Sequence, residues 1–142
     1  MIGDDQQAVP AEAASRLTEP DWTGGADTER RPGMVADISN AMVGLKKEFY
    51  GKGPTRAKTF INDNYVFCVL QGGLTRNEET LLAAGEERLV RQYRLSFQEA
   101  MADATTEAIA RITRCRVVGY HSQIVFDPEF AFEIFVLDKP PG

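Results

Sequence analysis

The residues with the clearest capacity for chemistry form a short basic turn. Gly51 and Gly53 flank Lys52, and Arg56 and Lys58 follow closely. Glycines allow backbone N–H groups to converge on an anion, and nearby cations add charge complementarity. The pattern therefore predicts a small-anion or nucleotide site. Two other interpretations stay open, a helix stop followed by a plain turn and a nucleic-acid patch, because the spacing differs from that of a nucleotide P-loop.

His121 is the single histidine, and it lies on a predicted strand beside Ser122. Consecutive strand residues point to opposite faces, so these two side chains cannot form a nucleophile–base pair. On strand geometry His121 shares a face with Gly119 and Gln123, which could form a small polar pocket; a structural histidine is the alternative. The predicted anion site consists of Lys52, Gly53, Arg56, Lys58 and His121.

Three arginines at steps of three residues, Arg88, Arg91 and Arg94, share a broad face of a predicted long helix. This spacing favours a solvated stripe paired with nearby glutamates, and a wall of the anion site is the alternative.

Metal and catalytic chemistry find little support in the sequence. Two cysteines and one histidine exclude a zinc site of the usual ligand count, and Cys68 and Cys115 stand in apolar company that predicts burial in the reduced state. No acid–base pair or activated nucleophile can be assembled. We therefore predict a protein that is not an enzyme and that holds no metal or cofactor.

The elements that position these residues alternate between helical and strand-like patterns. Apolar residues at helical spacing end at Gly51, and Thr75 with Glu78 has the spacing of a capping box. The predicted order is a helix over 38–50, strands over 55–61 and 65–70, a short helix over 75–84, a long helix over 86–113, and strands over 116–126 and 131–137. This order predicts an α+β fold with a four-stranded, mainly antiparallel sheet and helices packed on it.

The strand over 65–70 is apolar on both faces, with Tyr65 and Phe67 on one side and Val66 and Cys68 on the other. Such a strand is expected to be central and covered on both sides, by helices or by another subunit. This pattern predicts a homodimer. On the long helix, the stripe that begins with Leu89, Tyr93 and Phe97 is predicted to face the core.

Charge divides the 142-residue chain unevenly. Seven of the 21 acidic residues and three of the 16 basic residues lie in residues 1–35, so that segment carries a net charge of −4 and the remainder −1. Its composition predicts a disordered acidic tail over 1–35, followed by a domain over 36–138 and a C-terminal tail over 139–142. An isoelectric point of about 4.9 disfavours nucleic-acid binding. The absence of a long apolar run or a secretory signal predicts a soluble cytoplasmic protein that does not insert into membranes.

Five stretches, taken together in their order and spacing, resemble the MpsC-like family, a bacterial domain family of long-unknown function. These are 51–54 (Gly-Lys-Gly-Pro), 73–78 (Gly-Leu-Thr-Arg-Asn-Glu), the long helix with Val90 and Arg94, 120–123 (Tyr-His-Ser-Gln) and 133–137 (Glu-Ile-Phe-Val-Leu). The family is named for a sodium-translocating, membrane-potential-generating system. The resemblance implies a gene context beside membrane and inorganic-carbon transport components, and it supplies no catalytic residue.

We therefore expect a soluble accessory or regulatory protein that acts by protein–protein contact, beside a membrane ion or inorganic-carbon transport system. It is predicted to be a homodimer with a possible protein partner at the membrane. A small-anion or nucleotide sensor is the alternative function.

Overall fold

The structure, a computed structural model, describes residues 31–142. Its helices are α1 (Pro32–Tyr50), α2 (Arg76–Ala83) and α3 (Glu87–Thr113), and its strands are β1 (Arg56–Asn62), β2 (Tyr65–Gln71), β3 (Val117–Val125) and β4 (Phe130–Leu137). The predicted α+β fold is confirmed. Helix α1 begins four residues before the predicted domain boundary, since a proline is well tolerated in the first helical turn. The rest of the predicted disordered tail, residues 1–30, lies outside the described residues.

The helix boundaries follow local capping signals. Gly51 ends α1 in the left-handed conformation with φ of +83°, and its N–H donates to the Lys47 carbonyl. Thr75 opens α2 with the predicted capping box, in which the Thr75 hydroxyl accepts from the Glu78 N–H and the Glu78 carboxylate accepts from the Thr75 N–H.

The four strands form one antiparallel sheet in the order β1-β2-β4-β3. Asn62 pairs with Tyr65, so a two-residue turn joins β1 to β2, and Asp63 there has φ of +59°. Strands β2 and β4 are central, and β1 and β3 are the two edges.

Helices α1 and α3 cover one face of this sheet. The inward side chains of β2, Val66, Cys68 and Leu70, are buried together with Phe135 of the neighbouring strand β4. Cys115 is also buried, and both cysteines are free thiols, as predicted. Burial raises the pKa of the Cys68 thiol to about 12, so this thiol stays protonated.

No helix of residues 31–142 covers the opposite face of the sheet. We call this surface the helix-free face; its apolar residues include Phe60, Tyr65, Phe67, Val69, Phe132, Ile134 and Val136. Tyr65 and Phe67 retain 45% and 41% of their full exposure. Strand β2 is therefore central as predicted, but within one chain only one of its two apolar faces is covered.

Helix α3 turns a different side to the core from the predicted one. Leu89 and Tyr93 are exposed, whereas Val90, Arg94 and Met101 are buried. The N-terminal half of the helix is thus rotated by about one residue, or roughly 100°, relative to the apolar stripe. The sequence pattern missed this orientation because the buried stripe includes an arginine.

Candidate functional site

Four charged side chains lie inside the domain, between the helices and the sheet. They are Lys46 of α1, Glu78 of α2, Arg94 of α3 and Glu133 of β4, and we call them the buried ionic cluster. Their side chains retain between 0% and 8% of their full exposure. Charged residues are almost never buried to this extent unless they are paired. The cluster is therefore the feature of the domain that most needs a physical explanation.

Glu133 is the fully buried centre of the first pair. It points from central strand β4 toward the helices, and the Lys46 ammonium donates to its Oε2 at 2.9 Å. The hydroxyl of Tyr120 donates to Oε1 and that of Ser122 to Oε2, each at 2.7 Å. Three donors from two elements thus compensate the carboxylate for its lost hydration.

Arg94 and Glu78 form the second pair with bidentate geometry. The Nε and Nη2 groups of Arg94 donate to Oε2 and Oε1 of Glu78, both at 2.6 Å. Nη2 also donates to the Gly73 carbonyl at 3.1 Å. The planar guanidinium matches a carboxylate in this way, which fixes the position of α3 relative to the start of α2.

The electrostatics of this second pair favour its charged form. Burial would raise the pKa of Glu78, but hydrogen bonds from Arg94 and from the Thr75 N–H outweigh burial and lower the pKa below its usual value. Burial would likewise lower the pKa of Arg94, and Glu78 outweighs it and raises that pKa. Both groups therefore stay ionised at neutral pH.

Tyr50, at the end of α1, lies beside both cations. Its ring centroid is 4.0 Å from the Arg94 guanidinium carbon and 5.6 Å from the Lys46 ammonium nitrogen. The Tyr50 hydroxyl is buried without a hydrogen-bond partner within the described chain. Burial raises the Tyr50 pKa to about 12, opposed by Arg94, so the phenol is neutral.

A small cavity of about 10 Å³ adjoins the cluster. Its wall includes Lys46, Tyr50 and Arg94, together with Lys52 and Glu129 from two loops. Burial raises the pKa of the Glu129 carboxyl. A cavity of this size holds about one water molecule. It is too small for a nucleotide.

The structure does not bring the predicted anion residues into one site. Lys52 lines the cavity, and Gly53 packs against α1, where an added Cβ would lie 3.2 Å from the Val43 carbonyl oxygen. Arg56 and Lys58 lie on β1 at one edge of the sheet, and His121 lies on β3 at the other. Two strands lie between β1 and β3, so the axes of these two edge strands are about 14 Å apart.

His121 shares its face with Gln123, as the strand geometry predicts, and its Nε2 lies 3.3 Å from the Gln123 Oε1. Among the three arginines of α3, Arg91 pairs with Glu87 at 2.6 Å, as expected for a solvated stripe. Arg94 instead enters the core.

One signal for the buried ionic cluster is present in the sequence, outside the motifs considered above. Lys46 continues the buried stripe of Ile38 and Met42 at a step of four, and Glu133 stands alone in an apolar strand at an inward position. A single charge at a core position of an amphipathic pattern indicates a buried pair.

The stretches behind the family resemblance converge on this region. Residues 51–54 supply Lys52 and Pro54 of the cavity wall, 73–78 supply Gly73 and Glu78, the long helix supplies Arg94, 120–123 supply Tyr120 and Ser122, and 133–137 supply Glu133. All four charges of the cluster are compensated within the chain. The Lys46–Glu133 pair can fix α1 on the sheet, and the Arg94–Glu78 pair can fix α3 on α2.

Two further properties of residues 31–142 concern metal binding and membrane insertion. No group of three or more histidine, cysteine, aspartate or glutamate side chains there is placed to hold a metal ion. Over the same residues, no helix has both the length and the hydrophobicity needed to cross a membrane.

Comparison with known proteins gives a family and a relative. The family described as "Na+-translocating membrane potential-generating system (MpsC)" matches residues 31–139. An uncharacterized protein of Bacillus subtilis (strain 168), YrhF, is 30% identical over 107 residues, which span 74% of this chain and 88% of the relative. No solved structure matches significantly.

Proposed function

The chain belongs to the MpsC family, and from this premise we propose that it is a soluble cytoplasmic accessory protein of a sodium-translocating membrane system. In this proposal it works as a homodimer and acts by protein–protein contact. The partner is another protein of that system, and the contact surface is the helix-free face. The family description supports the association with ion translocation.

The observation that carries the proposal is the apolar character of the helix-free face. Phe60 of β1 stands opposite Phe67 of β2, which stands opposite Ile134 of β4, so one continuous apolar row crosses three strands. Four strands at ~4.8 Å spacing and seven residues at ~3.3 Å rise give a surface of roughly 450 Å². This is the area of the whole face, polar border included, and an apolar patch of a few hundred Å² on a protein surface is often functional.

The border of this face indicates the chemistry of the partner. The strand positions on the face include Arg56, Lys58 and His121 and no acidic residue. Aspartates or glutamates around an apolar centre would complement such a border and steer the encounter. We therefore expect a partner surface with an apolar centre and an acidic rim.

The alternative function, a small-anion or nucleotide sensor, has less support from the geometry. The cavity near Lys52 holds about one water molecule, and its neighbours Lys46 and Arg94 already have carboxylate partners. An anion entering there would have to displace those carboxylates or repel Glu129. The proposal accordingly assigns no ligand and no catalysis to this chain.

A complementation experiment tests the proposal. In a host lacking the gene, we would measure the sodium-dependent membrane potential with a potential-sensitive dye after restoring the wild type or the variant Phe67→Lys. The charged variant should fail to restore the potential, because it places an ammonium in the apolar row. In the same cells a photo-crosslinking residue at position 67 should give one discrete adduct with a membrane component of the system.

Leu89→Lys is the matched control. Leu89 has a similar exposure, 51%, but lies on α3, on the other side of the sheet. It should restore the potential and give no adduct. Equal behaviour of the two variants, or an equal crosslinking pattern from both positions, would overturn the proposed contact surface. Circular dichroism of both purified variants checks that each retains the fold.

A further inference from the structure

Strand β3 is an edge strand whose outward backbone groups have no neighbouring strand. The Ile124 carbonyl accepts a hydrogen bond from Arg91 Nη1 at 3.1 Å, which shows that the groups of Ile124 point away from β4. Because successive residues of an antiparallel strand alternate, the N–H and C=O groups of Ser122 and Tyr120 point outward as well. Apart from the Ile124 carbonyl, which Arg91 occupies, this edge can therefore accept a further strand.

The two edges of the sheet differ in how well they are protected against pairing with a strand of another chain. Strand β1 carries Arg56 and Lys58, and charged side chains of this kind discourage edge-to-edge pairing. Strand β3, Val117–Val125, contains no lysine, arginine, aspartate, glutamate or proline over nine residues. Two copies of β3 could thus lie side by side without opposing like charges.

A groove runs between β3 and α3. Arg91, Leu95 and Gln98 line it from the helix, and residues 121–124 line it from the strand, around a volume of about 220 Å³. It continues past Glu99 toward Tyr120. Leu95 retains 53% of its full exposure, so the middle of the groove offers an apolar contact.

The charged residues beside this groove are placed so that two copies related by a two-fold axis would oppose unlike charges. Arg91 and Glu99 lie four residues before and four residues after Leu95 on α3. Each is therefore displaced by about 6 Å along the helix axis from Leu95. A two-fold axis near Leu95 makes the second α3 antiparallel and sets Arg91 of each copy against Glu99 of the other. The middle of β3 lies at the same level, because Leu95 and His121 line the same groove.

We propose that this groove and edge form the homodimer interface, with the β3 strands of two copies paired antiparallel about residue 121, so that Ser122 of each copy pairs with Tyr120 of the other. The two sheets then form one sheet of eight strands, with the two α3 helices side by side. This inference rests on the proposed function, because it joins two helix-free faces into one surface of roughly 900 Å². A standard interface buries about 800 Å² on each partner. The joined face reaches that size and a single chain does not.

Light scattering coupled to size exclusion tests the inference on the purified full chain. The wild type should have twice the 15.7 kDa chain mass at micromolar concentration. Arg91→Glu and Glu99→Arg should each raise the dimer Kd by about ten-fold or more, because symmetry places each substitution in the interface twice. The double variant Arg91→Glu/Glu99→Arg should return the Kd to within about three-fold of the wild type.

Glu107→Arg is the matched control, since Glu107 is exposed on the same helix beyond the groove. It should leave the Kd unchanged. Arg91 also binds Glu87 and the Ile124 carbonyl, so Glu99→Arg serves as the variant that keeps those contacts. A cysteine at position 121 should give a disulfide-linked dimer on mild oxidation, because a residue on the two-fold axis faces its own copy and paired strand residues have Cβ atoms about 5 Å apart.

Three results would overturn the inference: a monomeric wild type, a dimer insensitive to both charge reversals, or a double variant as weak as the single ones. A monomer would leave the edge of β3 available to an extended peptide instead. The experiments distinguish a failure of the proposed function from a failure of the proposed dimer interface. A monomeric chain in which Phe67→Lys still abolishes the membrane potential keeps the proposed function, and a dimer in which Phe67→Lys restores the potential keeps the interface alone.

Discussion

Replacing Lys46 by methionine isolates the energetic role of the buried ionic cluster. Methionine preserves the aliphatic stem of the lysine and removes its charge. Glu133 then keeps the hydroxyls of Tyr120 and Ser122 at 2.7 Å but loses the Lys46 ammonium at 2.9 Å, while it remains fully buried. Removal of one member of a buried ion pair costs about 3–5 kcal/mol. We expect a loss of that size in the free energy of unfolding.

The double variant Lys46→Met/Glu133→Gln separates the charge from the packing. A neutral glutamine can still accept a hydrogen bond and leaves no unpaired charge, so the double variant should lose only about 1–2 kcal/mol. The double variant should therefore be more stable than Lys46→Met alone. A double variant that is more stable than one of its single variants shows that the two residues are energetically coupled.

Urea unfolding followed by circular dichroism measures these differences at one fixed protein concentration. Lys47→Met is the matched control, because Lys47 is the exposed neighbour of Lys46 on the same helix. It should change stability by less than about 1 kcal/mol. If Lys46→Met costs no more than Lys47→Met, or if the double variant is less stable than Lys46→Met, the reasoning about the cluster is refuted.

Two further outcomes are expected. The pKa of Glu78 is lowered in the folded state, so its stabilising contribution is complete above the pKa of the unfolded chain and is lost as pH falls through the folded pKa. The midpoint of thermal unfolding of Glu78→Gln should therefore depend less on pH below 5 than that of the wild type. Parallel pH profiles of the two midpoints would contradict this. Gly72→Ala should lower the free energy of unfolding by more than about 1 kcal/mol, because φ is +80° there and an added Cβ would lie 2.5 Å from the Thr55 hydroxyl oxygen. The control Gly85→Ala has a similar φ of +81° but open space around it, so it should lose less stability. Equal losses would assign the effect to φ alone.

Local signals in the sequence were sufficient for most of the helix and strand boundaries. The capping box at Thr75 and the stop at Gly51 are each decided by neighbouring residues, so the sequence predicts them directly. The α+β order followed from these boundaries. Strand β2 was correctly placed in the centre because it is apolar on both sides.

The site was harder to predict because it depends on contacts between distant residues. Glu78 and Arg94 are 16 residues apart, and Lys46 and Glu133 are 87 apart. The sequence pattern favours a solvated stripe for Arg94, because in an isolated helix pattern a charged residue indicates exposure. His121 was grouped with the basic turn although strand order, which no local signal fixes, places it at the opposite edge.

The double use of the Glu78 carboxylate has a consequence for the cooperativity of folding. The same side chain completes the capping box of α2 and holds Arg94 of α3. Eight residues are too few for a helix to persist alone in water, so α2 depends on this shared anchor. We expect the amide protons of α2 to exchange with solvent in the same opening event as those around Arg94, and Arg94→Met to release α2 into faster, separate exchange while α1 stays protected.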